Sequence, residues 1–325
     1  MFEFLRRACM ALAFLVAGNA AAQSFPDRPV RLVVAFVPGG ASDTLARQIL
    51  PELSQALGQP AIVENRPGGN GYVGWTHVAS APPDGYTLLF AENALAMSQA
   101  LFRHQANSFD PLKQYDAIAH LASSPMALVV ANHVKANTVA ELVALSKAGP
   151  ERMNYASAGI GSVTHLVIEV FRDGVGMDAV HVPYKGGGQA VADVIAGHIP
   201  FTFASTQVAK GLVEGGKLKA IAVTSRSRSP ALPGVPTLDE AGVKHADVDL
   251  RFWYGIFGPR GIPDAVKSKL DRTMAAVMAD PKLRERLAKL DVAPEYAPGA
   301  ALHAKLQSEI RNWSAFVDAK KIKPE

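Results

Sequence analysis

The 325-residue chain has almost no cysteine: Cys9 is the single one, and it sits inside an apolar run near the N-terminus. A lone thiol forms no internal disulfide and builds no thiolate metal site, which takes several such ligands. The nine histidines are scattered, with no H-x-H or H-x-x-x-H pair, so no metal is expected. Charge is also thin and even. Formal net charge is +4, no run of Lys or Arg concentrates it, and no nucleic-acid signature occurs, which argues against a nucleic-acid partner. There is no G-x-x-x-x-G-K-[ST] phosphate loop and no G-x-S-x-G elbow. Beyond residue 22 no apolar stretch approaches membrane-spanning length.

What is present begins with "MFEFLRRACMALAFLVAGNAAAQ". Arg6 and Arg7 precede an uncharged run from Ala8 to Ala17, followed by Ala20, Ala21 and Ala22. That order is a secretory signal with cleavage after Ala22, so residues 1–22 read as a signal peptide and the mature protein as exported, best fitting a bacterial periplasm.

The remainder repeats one pattern: a short apolar run, a small-residue loop, then a helical stretch. "LVVAFV" leads to "PGGASD", "AIVEN" to "RPGGNG", "TLLFAEN" to "ALAMSQA", and "MNYAS" to "AGIGSVTHL". Such alternation predicts an α/β protein with mixed, mostly parallel sheets flanked by helices. The first apolar run, Leu32 to Val37, reads as a buried strand. In residues 251–325, Val266, Leu270, Met274, Val277 and Met278 share a helical face, and no strand is expected after these helices. Two groups of strands suggest two lobes: 23–122 plus 251–325, and 123–250.

Several motifs invite chemistry and have plainer readings. Gly69, Gly71 and Gly74 satisfy G-x-G-x-x-G, but Asn65-Arg66-Pro67 separates them from the preceding strand, which favours a tight turn into a helix over a dinucleotide site. Ser162 and His165 lie one helical turn apart, a spacing that suits a cap and a polar packing pair better than two members of a triad. Paired strand-end corners are the stronger signal. The loops "VPGGAS" and "SAGIGSVT" offer amides, hydroxyls and helix N-termini with almost no Lys or Arg, which suits a small carboxylate at the carboxyl ends of the strands. Asp43 is expected to cap the first helix and to pair with Arg47, leaving Gly39, Gly40 and Ser42 free for a ligand.

In order along the chain stand "FPDRPVRLVVAFVPGGASDTLARQIL", "VENRPGGNGYVG", "PPDGYTLLF", "YASAGIGSVTHLVIEVF", "HVPYKGGGQAVADVIAGHIPFTF", "LKAIAVTSRSRSPALPGVPTLDEAG" and "WYGIFGPRGIP". From about Phe25 to the C-terminus the chain resembles the substrate-binding proteins of tripartite tricarboxylate transporters, the Bug family. The resemblance implies a two-lobe periplasmic binding protein of the Venus-flytrap kind (type II) that is not an enzyme and needs no cofactor. It is expected to act as a monomer that delivers a small carboxylate, whether di- or tricarboxylate, aromatic acid or amino acid, to membrane permease subunits. The carried-over ligand residues are Pro38, Gly39, Gly40, Ser42 and Asp43 in one loop and Ser157, Gly159, Gly161, Ser162, Thr164 and His165 in the other. Asn93, Ser205 and Gln207 supply the side walls. Glu92 departs from the neutral residue usual beside Asn93 and is expected to point outward. The competing readings are a secreted acyl-transfer enzyme or hydrolase using Ser162 and His165, and a ligand-binding partner of a signalling sensor.

Overall fold

The computed structural model describes residues 25–105, 109–149, 152–244 and 248–324. The expected signal peptide, 1–22, lies outside the described residues.

Among the described residues eleven strands form two sheets. They are β1 (Val30–Val34), β2 (Ala61–Asn65), β3 (Thr87–Glu92), β4 (Tyr115–Ser124), β5 (Met126–Ala131), β6 (Met153–Ser157), β7 (Ala179–Pro183), β8 (Phe201–Ser205), β9 (Leu218–Val223), β10 (Phe252–Pro259) and β11 (Ala293–Pro298). The first sheet runs β11-β4-β10-β3-β1-β2 and the second β7-β6-β8-β5-β9. The chain leaves the first sheet at Ser124, enters the second at Met126, and returns between Val223 and Phe252.

Each sheet is mixed for the same reason. Where a helix follows a strand the crossover brings the next strand back parallel, as for β1 with β2 and β3, and β6 with β7 and β8. The strands beside the crossings, β4, β5, β9 and β10, pair antiparallel with their neighbours, and so does β11. Among the described residues five strand pairings are antiparallel and four parallel, so the sheets are mixed without being mostly parallel.

Central strands are apolar throughout. Every residue of β5 and of β10 is buried, and β10, "FWYGIFGP", sits between β3 and β4. Strand β1 ends at Val34, earlier than the apolar run suggests: Phe36 is only partly buried and Val37 is 49% exposed as the chain turns off the sheet. The tail also departs from expectation. After α9 (Asp264–Ala279) and α10 (Pro281–Lys289), residues 293–298 do form a strand, β11. It carries Pro294 and Pro298, pairs only with β4, and breaks register between Pro294 and Ala297. Proline is tolerated at such an edge because no second ladder needs its missing N–H, and "APEYAP" has no apolar alternation to betray it.

The last helix, α11 (Gly299–Lys320), locks onto the first sheet through close approach. A Cβ on Gly299 would lie 2.3 Å from the carbonyl oxygen of Ala117, and one on Gly255 would lie 2.8 Å from Leu302 Cδ2. The wholly buried Trp313 then fills the space beneath, with its Nε1 donating to Glu309. Gly299→Ala is expected to lower the unfolding free energy by about 1–3 kcal/mol, since the obstacle is backbone rather than a flexible side chain. A urea denaturation midpoint unchanged from the parent would contradict this packing.

Candidate functional site

The first corner joins β1 to α1 (Ala41–Leu57). The N-cap of α1 is Gly40, with extended backbone, and no side chain caps the helix. Asp43 is where the sequence expectation fails. Its Oδ2 accepts from Gly39 N at 2.9 Å, and both oxygens accept from Arg47 Nε at 3.0 and 3.1 Å. Asn65 Nδ2 adds a bond to Oδ1 at 2.9 Å and another to Phe36 O at 3.2 Å. Asp43 therefore ties the loop to the helix flank instead of capping it, although the expected pairing with Arg47 is present. Burial on its own would raise the Asp43 pKa, but the bonds from Arg47, Gly39 and Asn65 outweigh it and hold the group below the usual carboxylate range.

Two groups expected to be free are thus committed. Gly39 N is spent on Asp43, and Ser42 Oγ donates to Glu92 Oε2. The expectation that Glu92 points outward is corrected by that bond: its carboxyl turns into the corner at the start of α1. Burial pushes the Glu92 pKa up to about 7, opposed by the Ser42 bond. What stays open are the backbone amides of the first turn, at Ala41, Ser42 and Asp43, which a helix leaves without intrahelical partners. Pro38 is exposed on the loop in front of them.

Asn93 follows Glu92 and is 0% exposed. Its Nδ2 donates to Arg251 O at 2.9 Å, and its Oδ1 has no hydrogen-bond partner among the described residues. It pins the returning chain at the mouth of the corner.

The second corner joins β6 to α6 (Val163–Val175) and is closed on itself. Ala158 N donates to Thr164 Oγ1 at 2.9 Å, Gly159 N to Ser157 Oγ at 3.1 Å, and Gly161 N to His165 Nδ1 at 3.2 Å. Ser162 caps α6 by accepting from His165 N. The imidazole of His165 thus faces Gly161 while the hydroxyl of Ser162 faces a backbone amide, so the two are not joined as base and nucleophile. His165 stacks on His181 at 4.1 Å between ring centroids, and His181 stacks on Tyr155 at 4.9 Å. Ser157 Oγ lies 2.6 Å from His181 Nε2. Burial, reinforced by Arg172, lowers His165 to about 4; burial and the neighbouring His165 lower His181 to about 3. Both rings are neutral near pH 7 and supply no cation.

The two sheets meet across a groove. Ala41, Thr44 and Leu45 of α1 line it with Ser124, Tyr254, and Ser205 and Gln207 from the start of α8 (Thr206–Glu214). Ser205 and Gln207 are thereby brought opposite the open end of α1, while Ser205 Oγ also accepts from Val208 N. The 157–165 loop instead touches α3 (Ala94–Phe102), with Ser98 Oγ 3.5 Å from Gly161 O. Sequence reading missed Ser124 and Tyr254, which come from strands with no motif and are joined by a 3.3 Å hydroxyl contact. It also missed His181, hidden in the plain strand "AVHVP". The glycine motif takes its plainer reading: a Cβ on Gly74 would lie 2.8 Å from Ala35 Cα, so glycine serves helix-to-strand packing. Among the described residues no group of three or more His, Cys, Asp or Glu gathers to hold a metal, and no helix is long and apolar enough to cross a membrane.

Known proteins share this architecture. Residues 45–322 match the model of the tripartite tricarboxylate transporter family receptor. An Agrobacterium vitis UPF0065 protein from the TAR-I ttuE-ttuC' intergenic region is 34% identical over 300 residues, 91% of this chain and 86% of that protein. The periplasmic binding protein BugD superposes with TM-score 0.84 at 31% identity, over 92% of this chain and 99% of its own. MatC from Rhodopseudomonas palustris, solved with bound malate, gives TM-score 0.82 at 31% identity, over 90% and 100%.

Asp43→Asn removes a charge that only the folded state stabilises. It is expected to cost about 1–2 kcal/mol near neutral pH, reduced from a fully buried pair because Arg47 is half exposed. Because the folded pKa is depressed, that deficit holds above the unfolded value of about 3.9 and closes as pH falls through the lower folded value. Denaturation midpoints of parent and variant across acidic pH measure it.

Proposed function

The chain belongs to the tripartite tricarboxylate transporter receptor family, and we propose from that premise that it captures a small carboxylate in the groove between its sheets and delivers it to a membrane permease. The observation that carries this reading is the uncapped first turn of α1, set opposite Ser205 and Gln207. A ligand carboxylate there takes the amides of Ala41, Ser42 and Asp43 at the positive end of the helix dipole. Each such bond contributes about 1.5–3 kcal/mol net, before the cost of immobilising the ligand. Malate in the related MatC is a ligand of the same chemical class.

In this reading residues 1–22 direct export to the periplasm, and the lobes are 23–122 with 251–325, and 123–250. The protein works as a monomer and performs no chemistry on its ligand. Ser162 and His165, which an enzyme would need as a reactive pair, are used to cap α6 and to hold Gly161. The ligand favours the closed form only by contacts it makes better there, which Ser205 and Gln207 supply from the second sheet.

Two outcomes are expected. A bound carboxylate at about 100 times its dissociation constant adds about 2.7 kcal/mol of stability, seen as a rise of several degrees in a thermal-shift screen. Gly161→Ala is expected to weaken binding, because φ there is +75° and a Cβ would lie 2.8 Å from Phe102 on the opposing lobe. Calorimetric affinity equal to that of the parent would show that this loop need not approach α3.

A further inference from the structure

We infer that Glu92 sets the specificity of this site: its carboxylate takes the ammonium group of a ligand whose own carboxylate rests on the first turn of α1, so the solute is an aminocarboxylate rather than a plain di- or tricarboxylate. The inference rests on the receptor reading above and narrows it to one class of ligand.

The geometry is specific to the corner. Glu92 ends β3, and its Oε2 accepts from the hydroxyl of Ser42, one of the three residues whose amides stand open. A carboxylate seated on those amides is therefore a close neighbour of the Glu92 carboxyl. Two carboxylates in one desolvated site repel, and one of them must stay protonated. An ammonium group on the ligand removes the conflict, because it sits between its own carboxylate and Glu92.

The surroundings supply no cation to do that work. Among the described residues Glu92 has no ion pair; its hydrogen bond is to a neutral hydroxyl. On α1, the Arg47 guanidinium is already paired with Asp43 and bonded to Asn65. On the returning chain, Arg251 is bound to Asp249, Glu295 and Ser123. On β10, Tyr254 stands opposite Glu92, bonds to Ser124, and is held neutral by burial and by Glu92 itself. Across the groove Ser205 and Gln207 are neutral. Asn93 adds an acceptor rather than a donor to the same corner, since its Oδ1 is buried without a partner. Once a ligand carboxylate takes the open amides, the acceptors Glu92 and Asn93 Oδ1 are left without a cation, and a ligand donor with positive charge is what the corner lacks.

Calorimetry on matched acids tests this: succinate with L-aspartate and L-malate, glutarate with L-glutamate, and adipate with 2-aminoadipate, on the parent protein and on Glu92→Gln. The parent is expected to bind the aminated member of a pair more tightly, and Glu92→Gln to lose that preference by about 10- to 100-fold, the equivalent of one charged hydrogen bond. Should Glu92→Gln fail to fold, the parent decides through pH. Burial puts the Glu92 pKa at about 7 in the free site, so affinity for the aminated acid falls from pH about 8 to about 5.5, whereas a plain diacid gains. The inference is overturned if plain acids bind more tightly than their aminated partners, if folded Glu92→Gln keeps the parent's preference, or if L-malate matches L-aspartate. If a tricarboxylic or aromatic acid binds the parent and none of these acids does, the inference falls and the carboxylate-receptor reading stands; if no carboxylic acid binds, both fall.

Discussion

A buried carboxylate must find donors, and Asp43 finds them in Gly39, Arg47 and Asn65 instead of in the helix it begins. That choice organises the first corner. By bonding Gly39 N, where φ is +81°, Asp43 holds the loop in the conformation that turns the chain off β1. By pairing with Arg47 it keeps its negative charge off the helix end. By leaving the first-turn amides alone it preserves a positive helix terminus in the groove that no side chain caps. An acid that capped α1 would have neutralised the same terminus and left nothing for an anion.

The second corner solves the same folding problem in the opposite way. Its loop amides are spent on Thr164, Ser157 and His165, and α6 is capped by Ser162. The His165, His181 and Tyr155 rings stack beneath that loop. The two corners look alike as glycine-rich strand ends, yet the first leaves its helix without a side-chain cap and the second caps its helix through Ser162.

This difference was legible in the sequence only in part. Strand, turn and helix at residues 30–57 follow from an apolar run ended by Pro38-Gly39-Gly40, and the i, i+4 spacing of Asp43 and Arg47 announces their pairing. The choice between capping and bracing depends on Asn65, which arrives from β2 and is invisible to local spacing. Glu92 is similar: it ends an apolar strand, and only the parallel register of β1 with β3, which carries α1 to its side, turns it inward. The edge strand β11 escaped notice because an edge needs neither alternation nor freedom from proline.

Motion between the sheets is confined by where the crossings are tied. On the first sheet, Arg251 bonds Ser123, Asp249 and Glu295, and Asn93 holds the Arg251 carbonyl, so both the outgoing and the returning chain are anchored at the ends of β4 and β10. On the second sheet, Met126 N donates to Thr224 Oγ1 while Thr224 N donates to Met126 O, which fastens the two chains there as well. Between these clasps lie Pro125 on one side and the segment after Thr224 on the other. Rotation of one sheet against the other must be absorbed at those two places. Asn93, which holds the Arg251 carbonyl, directly follows Glu92 at the end of β3. Glu92 bonds the start of α1 and Asn93 pins the returning chain, so adjacent residues join the corner to the clasp.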